Sequence, residues 1–419
     1  MEEKPSKVEI RKINGVYDYY VNGKKFIVKG VGLDSTQGDD YEGLKKAGAN
    51  TFRTWRSNNA EEELKQAAKH GLMVAIGIEL EQELNGFDYD DEEAVQQQFE
   101  RIKKEILTYK DHSNVLCWVV GNELNLNFDT DDKLIDINPK VWDAFSSVCD
   151  FIHEVDPNHP VTTTFAGFYP KQIKVMLERA PQIDFLSFQI YGELENLHKN
   201  VNEAGISKPY MVTEYGPTGH WEMPATSWGR EIEEPSGPKA RNMMKRIHCF
   251  FDDDKSGLVL GGFMFFWGQK QERTPTWYGV FNKTGEATAR VDELTKYWTG
   301  SYPANRAPLT ESISIDGTDP EQSLHLKPDE MYHALVEYTE PDGDEVYIQW
   351  TLLEEVQTRS HGGAFEKQPD KVEIEVISCD GNQLSFKAPA KNGEYRLFAY
   401  VYDGKGKVGN ANFPFYVKR

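Results

Sequence analysis

The feature that most constrains this chain is a short, uninterrupted apolar run, Val115 to Val120, that ends abruptly in Gly121, Asn122 and Glu123. Polar residues Asp111 to Asn114 bound it upstream. An apolar segment of strand length with no alternation has both faces buried, the condition of a strand in a parallel sheet covered by helices. A bare carboxylate inside such a strand costs too much desolvation, so Glu123 marks the point where the strand leaves the core. A second run has the same form: Tyr210 to Thr213 leads into Glu214, Tyr215 and Gly216.

The rest of the chain supplies partners for these two strands. Residues 8–31 alternate and turn at Asn14-Gly15 and Asn22-Gly23. Asn-Gly accepts the positive φ angles of a tight hairpin turn, so a hairpin feeds the buried strand Phe26–Val31, and we expect it to close the bottom of a barrel. Asp39 and Asp40 open a helix that Gly48 stops, and Ala49–Trp55 is the second strand. A helix over 60–70 ends at Gly71 before Leu72–Ile78, and Asp90 and Asp91 open a helix striped by Val95, Phe99, Ile102, Ile106 and Tyr109.

After Glu123 the rhythm repeats. Val141, Phe145, Val148, Cys149 and Ile152 mark a helical face, Asp156–Pro160 breaks it, and Val161–Phe165 follows. Ile173, Met176 and Leu177 precede Ile183–Tyr191; Met243, Met244, Ile247 and Phe251 precede Gly261–Trp267. Eight strands alternating with helices define an α/β fold, a (β/α)8 TIM barrel. Beyond Trp298, Gly300–Pro308 reads as linker, and short strands such as Val346–Thr351, Glu394–Val401 and Phe413–Val417 read as an immunoglobulin- or fibronectin-like β-sandwich. The expected organisation is a barrel with its N-terminal hairpin over 1–300, a linker over 301–312 and a sandwich over 313–419.

Parallel barrels keep their active sites at the C-terminal ends of the strands, where both Glu123 and Glu214 emerge. Two carboxyl groups facing one pocket are the minimum equipment for glycoside hydrolysis, so the chain reads as a sugar-active enzyme. Composition narrows the rivals. Forty-seven basic against 68 acidic residues give a net charge of -21, which argues against nucleic acid or an anionic membrane as partner. The four cysteines follow no metal or redox spacing, and Cys117, Cys149 and Cys249 sit in apolar patterns that predict buried free thiols. His153-Glu154 lacks the second histidine of a zinc helix, and Asp129–Asp132 lacks the glycine and terminal glutamate of a calcium loop. Neither a transmembrane helix nor the apolar core of a signal peptide is present.

With the strands placed, the chain resembles the retaining glycoside hydrolases of clan A, and most closely the catalytic barrel of glycoside hydrolase family 2. The resemblance runs from about Lys12 to Trp298 and rests on Tyr20–Val31, Asn50–Arg53, Asn114–Glu123, Lys208–Gly216 and Gly261–Trp267 in that order. It implies that Glu123 is the acid/base, that Glu214 is the nucleophile and that Asn122 binds the sugar hydroxyl beside the anomeric carbon. Arg53 and Tyr191 are expected to keep Glu214 ionised, and Gln189 stands where Asn is commoner in the family. Trp267 is expected as the aromatic floor under the sugar, with Trp55, Trp221, Trp228 and Trp277 as further stacking candidates and Trp118 as core. A barrel of this outline is also similar to the fungal β-1,3-glucanosyltransferases, which use paired glutamates to pass a glycosyl group to another sugar.

The expected activity is therefore retaining hydrolysis of a neutral β-linked oligosaccharide or polysaccharide such as β-glucan, endo-acting, by a monomer that needs no cofactor and no metal. A polysaccharide-degrading barrel with an appended sandwich is expected outside the cytoplasm (periplasmic, secreted or surface), with the cytoplasm as the alternative. Transglycosylation by the same residues, or a carbohydrate-binding barrel that has lost catalysis, are the alternatives. The sandwich is expected to be a structural spacer, since Trp350, Tyr395, Phe398, Tyr400 and Tyr402 fall in strand patterns.

Overall fold

In the computed structural model, which describes residues 4–36, 38–129, 133–359 and 365–419, both Asn-Gly pairs turn the chain with positive φ, 52° and 90° at the first and 50° and 78° at the second. Thr130 to Asp132, in the run weighed above as a calcium loop, lie outside the described residues. The turns join β1 (Val8–Ile13), β2 (Val16–Val21) and β3 (Lys24–Phe26) into a small antiparallel sheet. Tyr19 of β2 is 1% exposed and packs in one cluster with Ala75, Cys117, Phe185, Met211 and Phe263, its ring edge-on to Phe185 at 5.8 Å. Burying a ring of that size contributes roughly 2–3 kcal/mol, enough to hold the hairpin over the floor of the barrel. The same burial pushes the Cys117 thiol up to about 12.

The barrel strands are β4 (Gly30–Gly32), β5 (Thr51–Arg53), β6 (Met73–Ile78), β7 (Val115–Val120), β8 (Val161–Thr162), β9 (Thr164–Ala166), β10 (Leu186–Gln189), β11 (Tyr210–Tyr215) and β12 (Val259–Met264). They pair in parallel in the order β8-β7-β6-β5-β4-β12-β11-β10-β9. β8 and β9 are the two halves of one strand interrupted at Thr163, so nine segments make an eight-stranded closed barrel. Helices α1 (Tyr41–Lys46), α2 (Ala60–His70), α3 (Glu92–Tyr109), α4 (Lys140–Val155), α5 (Pro170–Arg179) and α6 (Leu197–Glu203) lie between these strands in sequence. Their ends obey local chemistry. Asp40 accepts from the Gly43 N–H, Asp91 accepts from the Glu93 and Ala94 N–H groups, and Gly71 closes α2 in the left-handed conformation.

Backbone contacts group Met1–Tyr215 with Ile247–Trp267 as one unit, and Gly216–Arg246 with Gly268–Arg419 as a second. The first holds every barrel strand. In the second, a four-stranded sheet and a five-stranded sheet enclose a core that includes Ile315, Val336, Leu352, Phe386, Leu397 and Phe413. Segments that the sequence assigned to the barrel join this unit because side chains tie them to sandwich strands: Asn412 donates to Glu233 at 2.6 Å, Arg396 to the Glu231 carbonyl at 2.9 Å and Asn282 to Tyr402 at 3.1 Å. The first sandwich strand, Leu309–Ile315, begins inside the stretch read as linker. Met331–Thr339, not anticipated, is a strand of nine residues that turns Ala334 and Val336 inward.

One thiol expectation is corrected. Cys249 is exposed, as is Cys379, whereas Cys117 and Cys149 are buried. A π-helical turn at His248–Asp252 breaks the 3.6-residue period and puts Phe250, 1% exposed, on the inner face instead. Among the described residues, no helix is long and apolar enough to cross a membrane.

Candidate active site

The strands of the first unit bring their polar exits together. β7 ends in a forced corner: Gly121 has φ 77°, and a Cβ there would lie 2.6 Å from Leu124 Cδ1. Glu123 itself takes a left-handed φ of 52°, a conformation that a non-glycine residue holds only when its surroundings impose it. Those surroundings are visible. The Glu123 N–H donates to Thr164 Oγ1 at 2.9 Å, and Gln82 Nε2 donates to the Asn122 carbonyl at 2.6 Å. The Glu123 side chain stays partly exposed.

Glu214 is delivered differently. The pairing of β11 slips against both neighbours, between Phe188 and Gln189 on β10 and between Val212 and Tyr215 towards β12. A slip of this kind re-aims a side chain that strict alternation would fix. Three donors then converge on the carboxylate, which is 5% exposed. Arg53 Nη1 reaches Oε1 at 3.2 Å, Trp55 Nε1 reaches the same oxygen at 2.7 Å, and the Tyr191 hydroxyl reaches Oε2 at 2.9 Å. This donor set suits an ionised carboxylate.

Arg53 links the two glutamates' neighbourhoods. It is fully buried, and its Nη2 donates to Asn122 Oδ1 at 3.1 Å while Nη1 also reaches the Thr213 carbonyl at 3.3 Å. Burial lowers its guanidinium below the usual value, and the charges of Glu214 and Glu123 oppose that shift. Asn122 Oδ1 also accepts from Gln189 Nε2 at 2.6 Å. The structure thus brings together Arg53, Trp55, Asn122, Gln189, Tyr191 and Glu214, with Glu123 next to Asn122 in the chain.

The aromatic expectations fare less evenly. Trp55, a stacking candidate that is partly exposed, gives its indole N–H to Glu214 and lays its ring under the Arg53 guanidinium at 4.8 Å. Trp267 is 1% exposed, with its N–H 3.3 Å from the Asp40 carbonyl. Phe265, not among the expected stacking residues, also meets the site, edge-on to Trp55 at 5.6 Å and to Tyr191 at 6.2 Å. Trp221 and Trp277 belong to the second unit. Trp221 is 60% exposed, but Trp277 is 1% exposed and bonds the Thr218 carbonyl, so it packs the interior and offers no stacking face. Trp228 packs against His325 and Tyr416. Gln82 and Thr164 were also missed, because nothing in their local sequence marks them as holding the Glu123 corner.

Among the described residues, Glu340, Asp342 and Asp344 are the one acidic grouping of metal-site dimensions. Glu340 Oε2 is already engaged by the Asp342 and Asp344 N–H groups, as in an ordinary turn.

Residues 12–224, half of the chain, match the family model for glycosyl hydrolases family 2, TIM barrel domain. Among curated proteins, the chain is 24% identical over 336 residues to a beta-glucuronidase of Paenibacillus borealis, covering 68% of this chain and 51% of that one. It is 23% identical over 277 residues to the beta-glucuronidase of Sus scrofa, covering 58% and 38%. The chain therefore spans about half the length, or less, of the curated relatives it matches. Among solved structures, a Bacteroides uniformis beta-glucuronidase superposes with a TM-score of 0.51 at 14% identity, over 98% of this chain and 48% of that one. The Faecalibacterium prausnitzii enzyme gives 0.53 at 18% identity, over 71% and 52%. The structural likeness shows the barrel followed by a sandwich. With the ordered strand-end motifs and the family match over half its length, the chain belongs to glycoside hydrolase family 2.

Proposed function

We propose that the first unit cleaves β-glycosides with retention of configuration, with Glu214 as nucleophile and Glu123 as acid/base. One observation carries the reading: three donors hold the Glu214 carboxylate, and one of them, Arg53, also holds Asn122 beside Glu123. In the first step a Glu214 oxygen attacks the anomeric carbon while Glu123 gives its proton to the departing oxygen. The glycosidic C–O bond breaks, the aglycone leaves as an alcohol, and an ester links the sugar to Glu214. In the second step Glu123, now a carboxylate, takes a proton from water as the water oxygen attacks the same carbon. The ester C–O bond breaks, Glu214 returns as a carboxylate and Glu123 is protonated again. A sugar hydroxyl in place of water gives transglycosylation by the same atoms.

The reading for substrate is a neutral β-linked glucan, attacked within the chain. It is supported by the commitment of Arg53, the cation beside the pair, to Glu214, Asn122 and main-chain carbonyls, which leaves it no role in binding a substrate carboxylate. The names of the curated relatives favour a second reading, a β-glucuronide. Loss of catalysis is the weakest alternative, since both glutamates and the groups around them are in place. The test compares wild type, Glu214→Ala and Glu123→Ala on aryl β-glucoside, aryl β-glucuronide and β-glucan oligosaccharides, with the first-formed anomer read by NMR. Glu214→Ala is expected to lose at least about a thousandfold on every substrate. Glu123→Ala should keep the first step on aryl substrates with acidic leaving groups, whose departure needs no proton. It should slow release of the sugar from Glu214, because the base that activates water is gone, and added azide should restore turnover. An α anomer as first product, or full activity in Glu214→Ala, overturns the assignment.

A further inference from the structure

The structure assigns a third positioning residue for Glu214, the Trp55 indole, which acts as a hydrogen-bond donor and not as a sugar-stacking surface. The inference rests on the reading of Glu214 as nucleophile. Three observations carry it. The Trp55 N–H is the shortest of the three bonds to the carboxylate, 2.7 Å, against 2.9 Å from Tyr191 and 3.2 Å from Arg53. The ring is also locked on several sides. A Cβ on Gly32 would lie 2.6 Å from Trp55 Cη2, so glycine there makes room for the ring. Gly77 makes room for the Trp55 main chain, 2.3 Å from where a Cβ would stand. Phe265 and Phe266 meet the ring at 5.6 and 5.9 Å, and the Arg53 guanidinium covers it at 4.8 Å. A side chain held on these sides, though partly exposed, keeps its one polar atom in a fixed place.

The chemical consequence follows from which form of Glu214 the bond favours. An N–H donor stabilises the carboxylate over the acid, and it stops the carboxylate plane from rotating between turnovers. The charged and titratable groups that share this environment include Arg53, Tyr191, Glu123 and the buried Cys117. Arg53 and Trp55 both load Oε1, whereas Oε2 receives the Tyr191 hydroxyl. Removing the indole N–H takes away the 2.7 Å bond to Oε1, so the carboxylate should take up a proton at higher pH and react more slowly while substrate affinity is little changed.

The experiment uses Trp55→Phe, which keeps an aromatic ring and deletes the donor, and Trp55→His, which restores a ring N–H. Tyr191→Phe serves as the donor deletion on the other oxygen. The probes are an aryl β-glucoside and an aryl β-glucuronide for turnover, and a 2-deoxy-2-fluoro-β-glucosyl fluoride for the rate at which Glu214 is trapped. For Trp55→Phe, kcat and the trapping rate should fall roughly ten- to a hundredfold with KM nearly unchanged, as loss of a hydrogen bond to a charged group implies. The acid limb of kcat/KM should move up by roughly one pH unit, with partial recovery in Trp55→His. An unshifted acid limb with a lowered melting temperature would show that Trp55 only packs, and would overturn the inference. So would a change confined to KM, which is the mark of a stacking surface. If wild type is neither active on the aryl glycosides nor trapped at Glu214, the failure lies with the nucleophile assignment and not with Trp55.

Discussion

Gln189 Nε2 donates to Asn122 Oδ1 at 2.6 Å, and the same oxygen accepts from Arg53 Nη2 at 3.1 Å. With the Thr164 hydroxyl reaching it as well at 3.4 Å, three donors on one amide oxygen fix which end of Asn122 faces away from them. The oxygen is engaged by the protein, and the Nδ2 hydrogens are the groups left for a sugar oxygen. On the proposed reading of the site, Gln189 is expected to work one step removed from substrate, through the orientation of Asn122.

Gln189→Ala should lower kcat/KM about tenfold, the loss of one buried hydrogen bond. A cycle with Asn122→Ala and a 2-deoxy aryl glycoside checks the route. The penalty for removing the 2-hydroxyl should be large in wild type, smaller in Gln189→Ala and near zero in Asn122→Ala. Equal penalties in all three proteins would mean that Asn122 does not contact that hydroxyl.

A carboxylate of the second unit sets a pH dependence of stability. Burial alone would push the Glu272 carboxyl up, but His220 at 3.6 Å and Lys270 at 2.9 Å outweigh it and bring it down to about 2. Its folded value lies below the unfolded one, so the unfolded chain binds the proton more readily. The stabilisation is fully present above the ordinary carboxylate range and is lost as pH falls through that range towards about 2. Its size is on the order of 3 kcal/mol. Urea midpoints of wild type should therefore drop steeply from pH 5 downward, and Glu272→Gln should flatten that limb. Parallel curves for the two proteins would refute the assignment.

Thiol chemistry should separate the four cysteines by burial. Burial pushes Cys117 up to about 12 and raises Cys149 as well, so neither offers a thiolate near neutral pH. Cys249 and Cys379 are exposed and free. Native protein should consume two equivalents of an aromatic disulfide reagent quickly, and protein in guanidinium should consume four. Rapid reaction of four in native buffer would mean that the barrel floor under Tyr19 is open.

The sequence by itself determined what depends on near neighbours in the chain. Asn14-Gly15 and Asn22-Gly23 dictate their turns through allowed φ angles, Asp40 and Asp91 start helices through their own backbone amides, and Gly71 ends one. The runs before Glu123 and Glu214 announce buried strands because a strand covered on both faces has no polar side to show. The repetition of such strands between amphipathic helices then leaves few folds other than a closed parallel barrel. What only the tertiary structure decided are the pairings between distant strand ends. Trp55 and Glu214 are 159 residues apart, and nothing near Trp55 in the sequence says whether its ring stacks on a sugar or its N–H meets a carboxylate. The same holds for Phe265 lying against Trp55, for the burial of Trp277 and for the attachment of residues 216–246 to the sandwich unit. Local propensity names the elements. Which side chains meet where they converge is fixed by barrel closure, because only there do the ends of non-neighbouring strands come within hydrogen-bonding distance.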